Sequence, residues 1–336
     1  MTAPPAPKTA PMTTRVTRAD GTAIREAAQR LAEGHLVAFP TETVYGLGAD
    51  ATNGEAIARL YAAKGRPKFN PLIAHVADLA AARALARFSA AADLLAKAFW
   101  PGPLTLVLPK AEDCPVAELA TAGLDSIAVR VPRHDVAQKI LAAFKKPIVA
   151  PSANRSGHVS PTTAAHVLTD LRGRVDLIVD GGATSVGLES TIVACLGAPT
   201  LVRPGGLPRG DIERVLGHPL AERPQPSAPS DDAPLAPGML ASHYAPRTRL
   251  RLDAERIEAG EALLAFGPRP VAGAEKAAMA LNLSARGDLI EAAANLFSQL
   301  RALDAAGAAC IAVMPIPHES LGEAINDRLR RAAAPR

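Results

Sequence analysis

The densest positive charge in the chain stands at Lys64-Gly65-Arg66-Pro67-Lys68, where three cations fall within five residues and no Asp or Glu occurs from Ala56 to Ala77. Lysine is a compact point charge and arginine a planar fork, and together they suit the oxygens of a polyphosphate. Gly65 and Pro67 disfavour a helix, so the cations ride a constrained loop, which serves either as a phosphate cradle or as a solvated basic turn. Ala150-Pro151-Ser152-Ala153-Asn154 follows an apolar run at once. A Ser and an Asn two residues apart at a strand end point the same way and offer neutral hydrogen bonds, although an Asx turn would use the same pair. Phe39-Pro40-Thr41-Glu42-Thr43-Val44-Tyr45-Gly46-Leu47-Gly48 sets polar residues after a buried run, then glycines that let a loop approach a ligand. Its threonines equally suit a local polar turn. Arg130 interrupts the apolar stretch Ser126–Val131, where burial demands an anionic partner, and Ser190 and Arg203 stand at later strand ends.

These side chains need a frame, and the hydrophobic pattern supplies one. Asp20 caps a helix whose Ile24, Ala27, Ala28 and Leu31 share a face and which Gly34 stops. Strands are expected at Leu36–Phe39, Leu72–Val76, Leu104–Leu108, Ser126–Val131, Ile148–Ala150, Leu177–Val179 and Thr191–Cys195. Helices are expected near Glu55–Ala63, within Asp78–Phe99, and at Asp135–Phe144 and Thr162–Leu171. Such interleaving predicts a layered α/β domain over residues 15–219. Residues 1–14 read as a disordered tail without the apolar core of a secretory signal. Residues 220–244 read as a proline-rich linker, with Pro224, Pro226, Pro229, Pro234 and Pro237 among small polar residues. The set Pro237-Gly238-Met239 with His243-Tyr244 is unlike a passive spacer and suggests a lid. Residues 245–336 then predict a smaller α/β domain, with short strands at Leu250–Leu252, Leu263–Phe266, Met279–Leu283 and Cys310–Met314 and a clear helix over Asp288–Leu303.

Composition and missing motifs narrow the chemistry. No P-loop, no G-x-S-x-G elbow and no H-E-x-x-H helix occurs. Gly46-Leu47-Gly48-Ala49-Asp50-Ala51 imitates a dinucleotide fingerprint, but Lys64, Arg66 and Lys68 stand where the ribose-binding acid belongs, so it reads as a glycine turn. Cys114, Cys195 and Cys310 form no C-x-x-C pair, which argues against structural zinc and a disulfide framework and fits a cytoplasmic location. No window is long and apolar enough for a membrane span. The net charge of +4 and pI near 9.1 fit an anionic ligand and permit only weak contact with tRNA. A non-catalytic RNA-binding protein is the rival class, but an aromatic content of 3% leaves few stacking platforms for bases.

Taken in order, Phe39–Gly48, Lys64-x-Arg66-Pro67, Trp100-Pro101-Gly102-Pro103-Leu104-Thr105, Pro151-Ser152-Ala153-Asn154, Glu189-Ser190-Thr191 and Arg203-Pro204-Gly205 resemble the L-threonylcarbamoyladenylate synthases of the YrdC-like family. Ala236–Met239 with Ser242-His243-Tyr244-Ala245-Pro246 is similar to the linker of the family's long, two-domain form. The resemblance implies a mixed α/β fold: a YrdC-like layered domain around a twisted mixed sheet, followed by a smaller Rossmann-like domain. It also implies that L-threonine, bicarbonate or CO2, and ATP are condensed to L-threonylcarbamoyl-AMP with loss of pyrophosphate. The product would feed a downstream transferase that makes N6-threonylcarbamoyladenosine at position 37 of tRNAs reading ANN codons. By position, the resemblance assigns Lys64, Arg66, Lys68, Ser126, Asn154, Ser160, Arg203 and Tyr244 to ATP, with Lys64, Arg66, Ser152 and Asn154 central to catalysis. Thr41, His75, Arg130, Ser152 and Ser190 are assigned to threonine, although His75 within an apolar strand also suits a core histidine. Magnesium would ride on the ATP phosphates, with no dedicated protein metal site.

Overall fold

The computed structural model describes residues 13–221 and 243–335. Ten strands run in chain order as β1 (Arg15–Arg18), β2 (Val37–Pro40), β3 (Tyr45–Asp50), β4 (Ile73–His75), β5 (Leu104–Pro109), β6 (Ser126–Arg130), β7 (Ile148–Val149), β8 (Leu177–Asp180), β9 (Thr191–Ala194) and β10 (Thr200–Arg203). They form one mixed sheet in the order β1-β8-β2-β3-β7-β4-β6-β5-β9-β10. Eight helices accompany them: α1 (Gly21–Ala32), α2 (Gly54–Lys64), α3 (Leu79–Arg83), α4 (Ala90–Phe99), α5 (Glu118–Thr121), α6 (Asp135–Phe144), α7 (Ala164–Leu171) and α8 (Arg209–Leu216).

Strand periodicity sorts the core. Val37 and Phe39 of β2 and Leu177 and Val179 of β8 face α1 and α6, whereas Ala38 and Ile178 between them join the larger core built with α2, α4 and α7. Both faces are therefore buried over this part of the sheet, which is why these strands read as continuous apolar runs. Towards β9 the face that carries α1 and α6 bears only a small patch of Ile73, Val107, Ala128, Ile192 and Ala194.

The second lobe is a parallel sheet of β11 (Arg249–Arg251), β12 (Glu261–Ala265), β13 (Ala280–Asn282) and β14 (Cys310–Val313) in the order β11-β14-β12-β13, with α9 (Leu289–Ala305) and α10 (Leu321–Ala333). Its core merges with the first lobe, since Val44, Val159, Leu188 and Tyr244 pack in one cluster with Leu296, Phe297 and Leu300. Arg301 of α9 donates to Asp170 at 2.6 Å, and Arg209 of α8 pairs with Glu323 of α10 at 2.7 Å.

Several expectations need correction. Gly46-Leu47-Gly48 is not a turn but the middle of β3. A Cβ at Gly48 would lie 2.7 Å from the Phe39 ring, so this glycine serves close packing between neighbouring strands rather than chain reversal. Thr14, placed in the disordered tail, is fixed: its hydroxyl donates to Val175 O at 2.8 Å and accepts from Gly173 N at 2.8 Å. Helix α10 went unread because its buried face includes Gly322 and Arg328, residues that break an apolar stripe. Residues 1–12 of the predicted tail, and linker residues 222–242 with Pro237-Gly238-Met239, lie outside the described residues. Leu220 is buried in the first lobe's core, and α8 packs on α4.

Gly187 tests the seating of the lobes. It has φ +72°, and an added Cβ would stand 2.3 Å from Ala293 O and 2.5 Å from Ala294 Cα of α9. Gly187→Ala should destabilise the chain by about 2–4 kcal/mol, combining left-handed strain with overpacking, and urea denaturation monitored by circular dichroism measures it.

Candidate active site

The strand ends beside the small apolar patch bring the marked residues together. His75 and Arg130 are paired neighbours at the ends of parallel β4 and β6. The chain leaving β7 supplies Ala150, Pro151 and Ser152, with Ser152 bridged to Gly46 of β3. Ser190 precedes β9 and Arg203 ends its antiparallel partner β10. Thr43, Val44, Arg66, Ile73, Glu189, His243 and Tyr244 complete the wall of a small cavity of about 50 Å³. A larger open groove of about 890 Å³ lies beside β1 and the start of α6, lined by Arg18, Arg133, His134 and Asp180 among others, and holds none of the expected site residues.

The cations here are buried, and that is the unusual feature. Lys64 is 3% exposed, Arg66 9% and Arg203 4%. Lys64 ends α2, and its Nζ donates to Ser152 O and Asn154 O, both at 2.5 Å, so the basic loop and the Ser-x-Asn loop are tied by one ammonium. Arg66 donates from Nη2 to Pro71 O at 3.0 Å, and Arg203 from Nη2 to Ser190 O at 2.8 Å. Among the described residues, none of the three has a carboxylate within ion-pairing distance. Burial, reinforced by neighbouring Arg66, holds the Lys64 ammonium well below the ordinary lysine range. Burial likewise lowers Arg66 to about 10 and lowers Arg203. Removing an ion from water costs several kcal/mol, so two such groups in the wall, with Lys64 directly behind it, favour an anionic ligand.

Two carboxylates border the site. Glu42 Oε2 lies 2.8 Å from Arg130 Nη2, an ion pair whose angle leaves both groups without a well-formed hydrogen bond. Glu189 accepts from Ser160 Oγ at 2.5 Å and from Arg328 Nε at 2.8 Å. Burial would raise its pKa, but Arg328, Arg203 and Ser160 outweigh burial and hold it at about 2. His75 is kept neutral, near 3, by burial and by Arg130, with Nδ1 against Ile73 O at 3.1 Å. Burial also lowers His243 to about 3. Among the described residues, nine buried side-chain atoms lack a hydrogen-bond partner, and six belong to Glu42, Arg130, Asn154, His243 and Tyr244. Buried polar groups are rarely left so, and their gathering here marks a ligand surface.

The expected residues divide accordingly. Arg66, His75, Arg130, Ser152, Ser190, Arg203 and Tyr244 line the cavity. Lys64, Asn154 and Ser160 stand directly behind that wall through the bonds described. The Thr41 hydroxyl is engaged in its own turn, 2.7 Å from Thr43 Oγ1 and 2.8 Å from Val44 O, and Thr43 meets the cavity. Lys68 is exposed, unlike Lys64 and Arg66. Ser126 begins the strand that Arg130 ends, ~13 Å away along β6, and is not part of the wall. Glu189, His243 and Arg328 went unassigned. Glu189 and His243 were quoted within motifs, whereas nothing local to Arg328 marks it.

Two family models match the chain. One, described as telomere recombination and covering the Sua5, YciO and YrdC proteins, matches residues 29–205, and one described as the C-terminal domain of threonylcarbamoyl-AMP synthase matches residues 208–334. The threonylcarbamoyl-AMP synthase of Pyrococcus abyssi is 43% identical over 328 residues, covering 92% of this chain and 94% of that one. The Bacillus subtilis protein of the same name is 40% identical over 326 residues, covering 93% of each. The crystal structure of P. abyssi Sua5 complexed with L-threonine superposes with a TM-score of 0.85 at 40% identity, covering 96% of this chain and 97% of that one.

The Lys64 environment predicts an unusual pH dependence. Its folded pKa lies below its unfolded value of 10.5, so the unfolded chain binds more protons between the two. Stability of the unliganded protein should therefore rise with pH through that window, and Lys64→Met should flatten the rise. Urea midpoints measured in steps from pH 7 to 9.5 test it, and a slope unchanged by the substitution would remove the buried charge from the account.

Proposed function

This chain belongs to the threonylcarbamoyl-AMP synthase family, and from that premise we propose that it joins L-threonine, bicarbonate or dissolved CO2, and ATP into L-threonylcarbamoyl-AMP with release of pyrophosphate. The observation that carries the nucleotide part is the set of buried cations, Lys64, Arg66 and Arg203, that lack carboxylate partners among the described residues. A triphosphate supplies the missing negative charge. Magnesium enters as part of the ATP substrate, carried by its phosphates.

Threonine occupies the neighbouring end of the site. Its carboxylate meets Arg130, which Glu42 steadies from 2.8 Å, and its hydroxyl meets the Thr43, Ser152 and Ser190 side. The amine loses a proton and bonds to the carbon of CO2, giving a carbamate. A carbamate oxygen then forms a bond to the α-phosphorus, while the bond from that phosphorus to the bridging oxygen breaks and pyrophosphate leaves. Such a displacement needs alignment and stabilisation of phosphoryl charge more than a protein nucleophile. Lys64, Arg66 and Arg203 provide that field, and Asn154 Oδ1, which lacks a partner, accepts from a substrate N–H or O–H rather than meeting phosphate. A cavity of about 50 Å³ admits neither substrate, so His243 and Tyr244 swing away to load it and return as a lid that excludes water. The product, a mixed anhydride, then passes to a transferase acting on tRNA.

Mass spectrometry of the product from threonine, bicarbonate and ATP tests the reaction directly. Arg66→Ala and Asn154→Ala should each slow it by ~2–4 kcal/mol of transition-state stabilisation, and wild-type turnover in both would remove these residues from the site. Selectivity gives a second measurement. Valine lacks the hydroxyl and leaves the polar side of the pocket unpaired, so its kcat/KM for pyrophosphate release should fall by about 100-fold or more, while serine loses less. Equal turnover of valine and threonine would refute the pocket assignment.

A further inference from the structure

Arg328 is a residue of the second lobe that ends in the first. It lies on α10, is fully buried at 0% exposure, and reaches Glu189, 139 positions earlier in the chain. Its Nε donates to Glu189 Oε2 at 2.8 Å, its Nη2 to Pro204 O at 3.0 Å, and its Nη1 to Asp327 Oδ2 at 2.5 Å. The guanidinium carbon stands 5.0 Å from the centroid of the Tyr244 ring, which also meets the His243 ring edge-on at 4.0 Å and stacks on the Phe297 ring of α9 at 5.6 Å. Helix α10 also accepts the His243 amide at Arg331 O, 3.3 Å away. Arg328, the Phe297 ring and the Arg331 carbonyl, all of the second lobe, thus hold the His243–Tyr244 pair together with Val44, Val159 and Leu188 of the first lobe and the Gly157 carbonyl that receives Ala245 N at 2.8 Å.

Glu189 explains why a cation is needed there. Its side chain lines the same cavity as Arg66 and Arg203, and its neighbour Ser190 is the partner of Arg203. A bare carboxylate in a wall built for phosphate repels the ligand and draws off the field of the site cations. Ser160 cannot neutralise it, because a hydroxyl brings no charge. Arg328 can.

We propose that Arg328 is a positioning residue of the nucleotide site, contributed by the C-terminal lobe, which neutralises Glu189 and seats the Tyr244 ring, so that the site is complete only with that lobe docked. The proposal rests on the reading of the cavity as an ATP site. It gives the second lobe a defined electrostatic task in the reaction, besides covering apolar surface.

The test uses the full chain and three variants: Arg328→Met, Arg328→Lys, and Arg328→Met combined with Glu189→Gln. Pyrophosphate release gives kcat and KM for ATP and threonine separately, and calorimetry gives the ATP Kd. Arg328→Met should raise KM and Kd for ATP by about tenfold or more, the scale of leaving one partner of a buried ion pair uncompensated, with KM for threonine within about twofold of wild type. Glu189→Gln in that background should bring the ATP values back to within about threefold of wild type, and Arg328→Lys should fall between. A purely structural role cannot produce that reversal. ATP affinity unchanged in folded Arg328→Met, or a double variant no better than the single one, overturns the proposal. Should Arg328→Met fail to fold, the double variant carries the decision, since it buries no uncompensated charge: ATP affinity near wild type supports the proposal, and a loss above about tenfold refutes it. A wild-type chain that binds threonine but not ATP would instead overturn the nucleotide reading itself.

Discussion

Three positive side chains held out of water without acidic partners among the described residues set the terms for the rest of this molecule. Lys64, Arg66 and Arg203 are each less than a tenth exposed, and their protons are answered by backbone carbonyls and, for Arg203, the Ser190 hydroxyl. A carbonyl dipole offsets part of a charge but not the loss of hydration, so the surrounding frame must be rigid enough to keep the cations from turning outward. The ten-stranded sheet provides that rigidity. Each cation sits at or just beyond the end of a regular element, α2 for Lys64 and Arg66 and β10 for Arg203, and the carbonyls that hold them belong to neighbouring strand ends. The site thus resembles a spring loaded by electrostatics: the unliganded wall is costly, and a polyanion relieves it.

The same constraint explains the arrangement of acids. A carboxylate beside these cations would have stabilised the fold and blocked a phosphate. The two that border the cavity are each taken up by another arginine, Glu42 by Arg130 and Glu189 by Arg328. Pairing each acid with a dedicated base leaves the three remaining cations uncompensated. The Arg130–Glu42 pair lies within the first lobe, whereas the Arg328–Glu189 pair spans the lobes and is accompanied by Arg301–Asp170, Arg209–Glu323 and the Tyr244–Phe297 stack. Docking of the second lobe is consequently part of the electrostatics of the first. Close backbone packing at Gly187 against α9 fixes the distance at which this occurs.

Much of the frame was legible along the chain because both sheet faces are buried and strands surface as unbroken apolar runs. Asp135–Phe144 was read to the residue, and the cap at Asp20 lies where its side chain accepts from Thr22 and Ala23. Failures came where a residue's usual meaning was overruled by a neighbour distant in sequence. Gly46 and Gly48 signal a turn locally, yet Gly48 is a glycine because the Phe39 ring occupies the space a side chain would take. Helix α10 hides its period because the largest side chain on its buried face is an arginine. The short strand β1 likewise depends on a partner, β8, that lies over a hundred residues away.

By itself the sequence determined most of the elements, the two-lobe plan, the family and the motifs that meet at the site, because these are carried by residue type and spacing over short stretches. Hydrophobic period and strand-end position do not depend on knowing what lies opposite. Tertiary structure alone decided which members of each motif matter and how. It turned Lys64 inward and left Lys68 in solvent, gave the cavity wall to Thr43 while Thr41 closed its own turn, and set Ser126 at the far end of the strand that presents Arg130. It also brought Arg328 to Glu189 across 139 positions. Burial and charge pairing are properties of a place in space, and a linear pattern does not record the distance between two residues that only folding brings together.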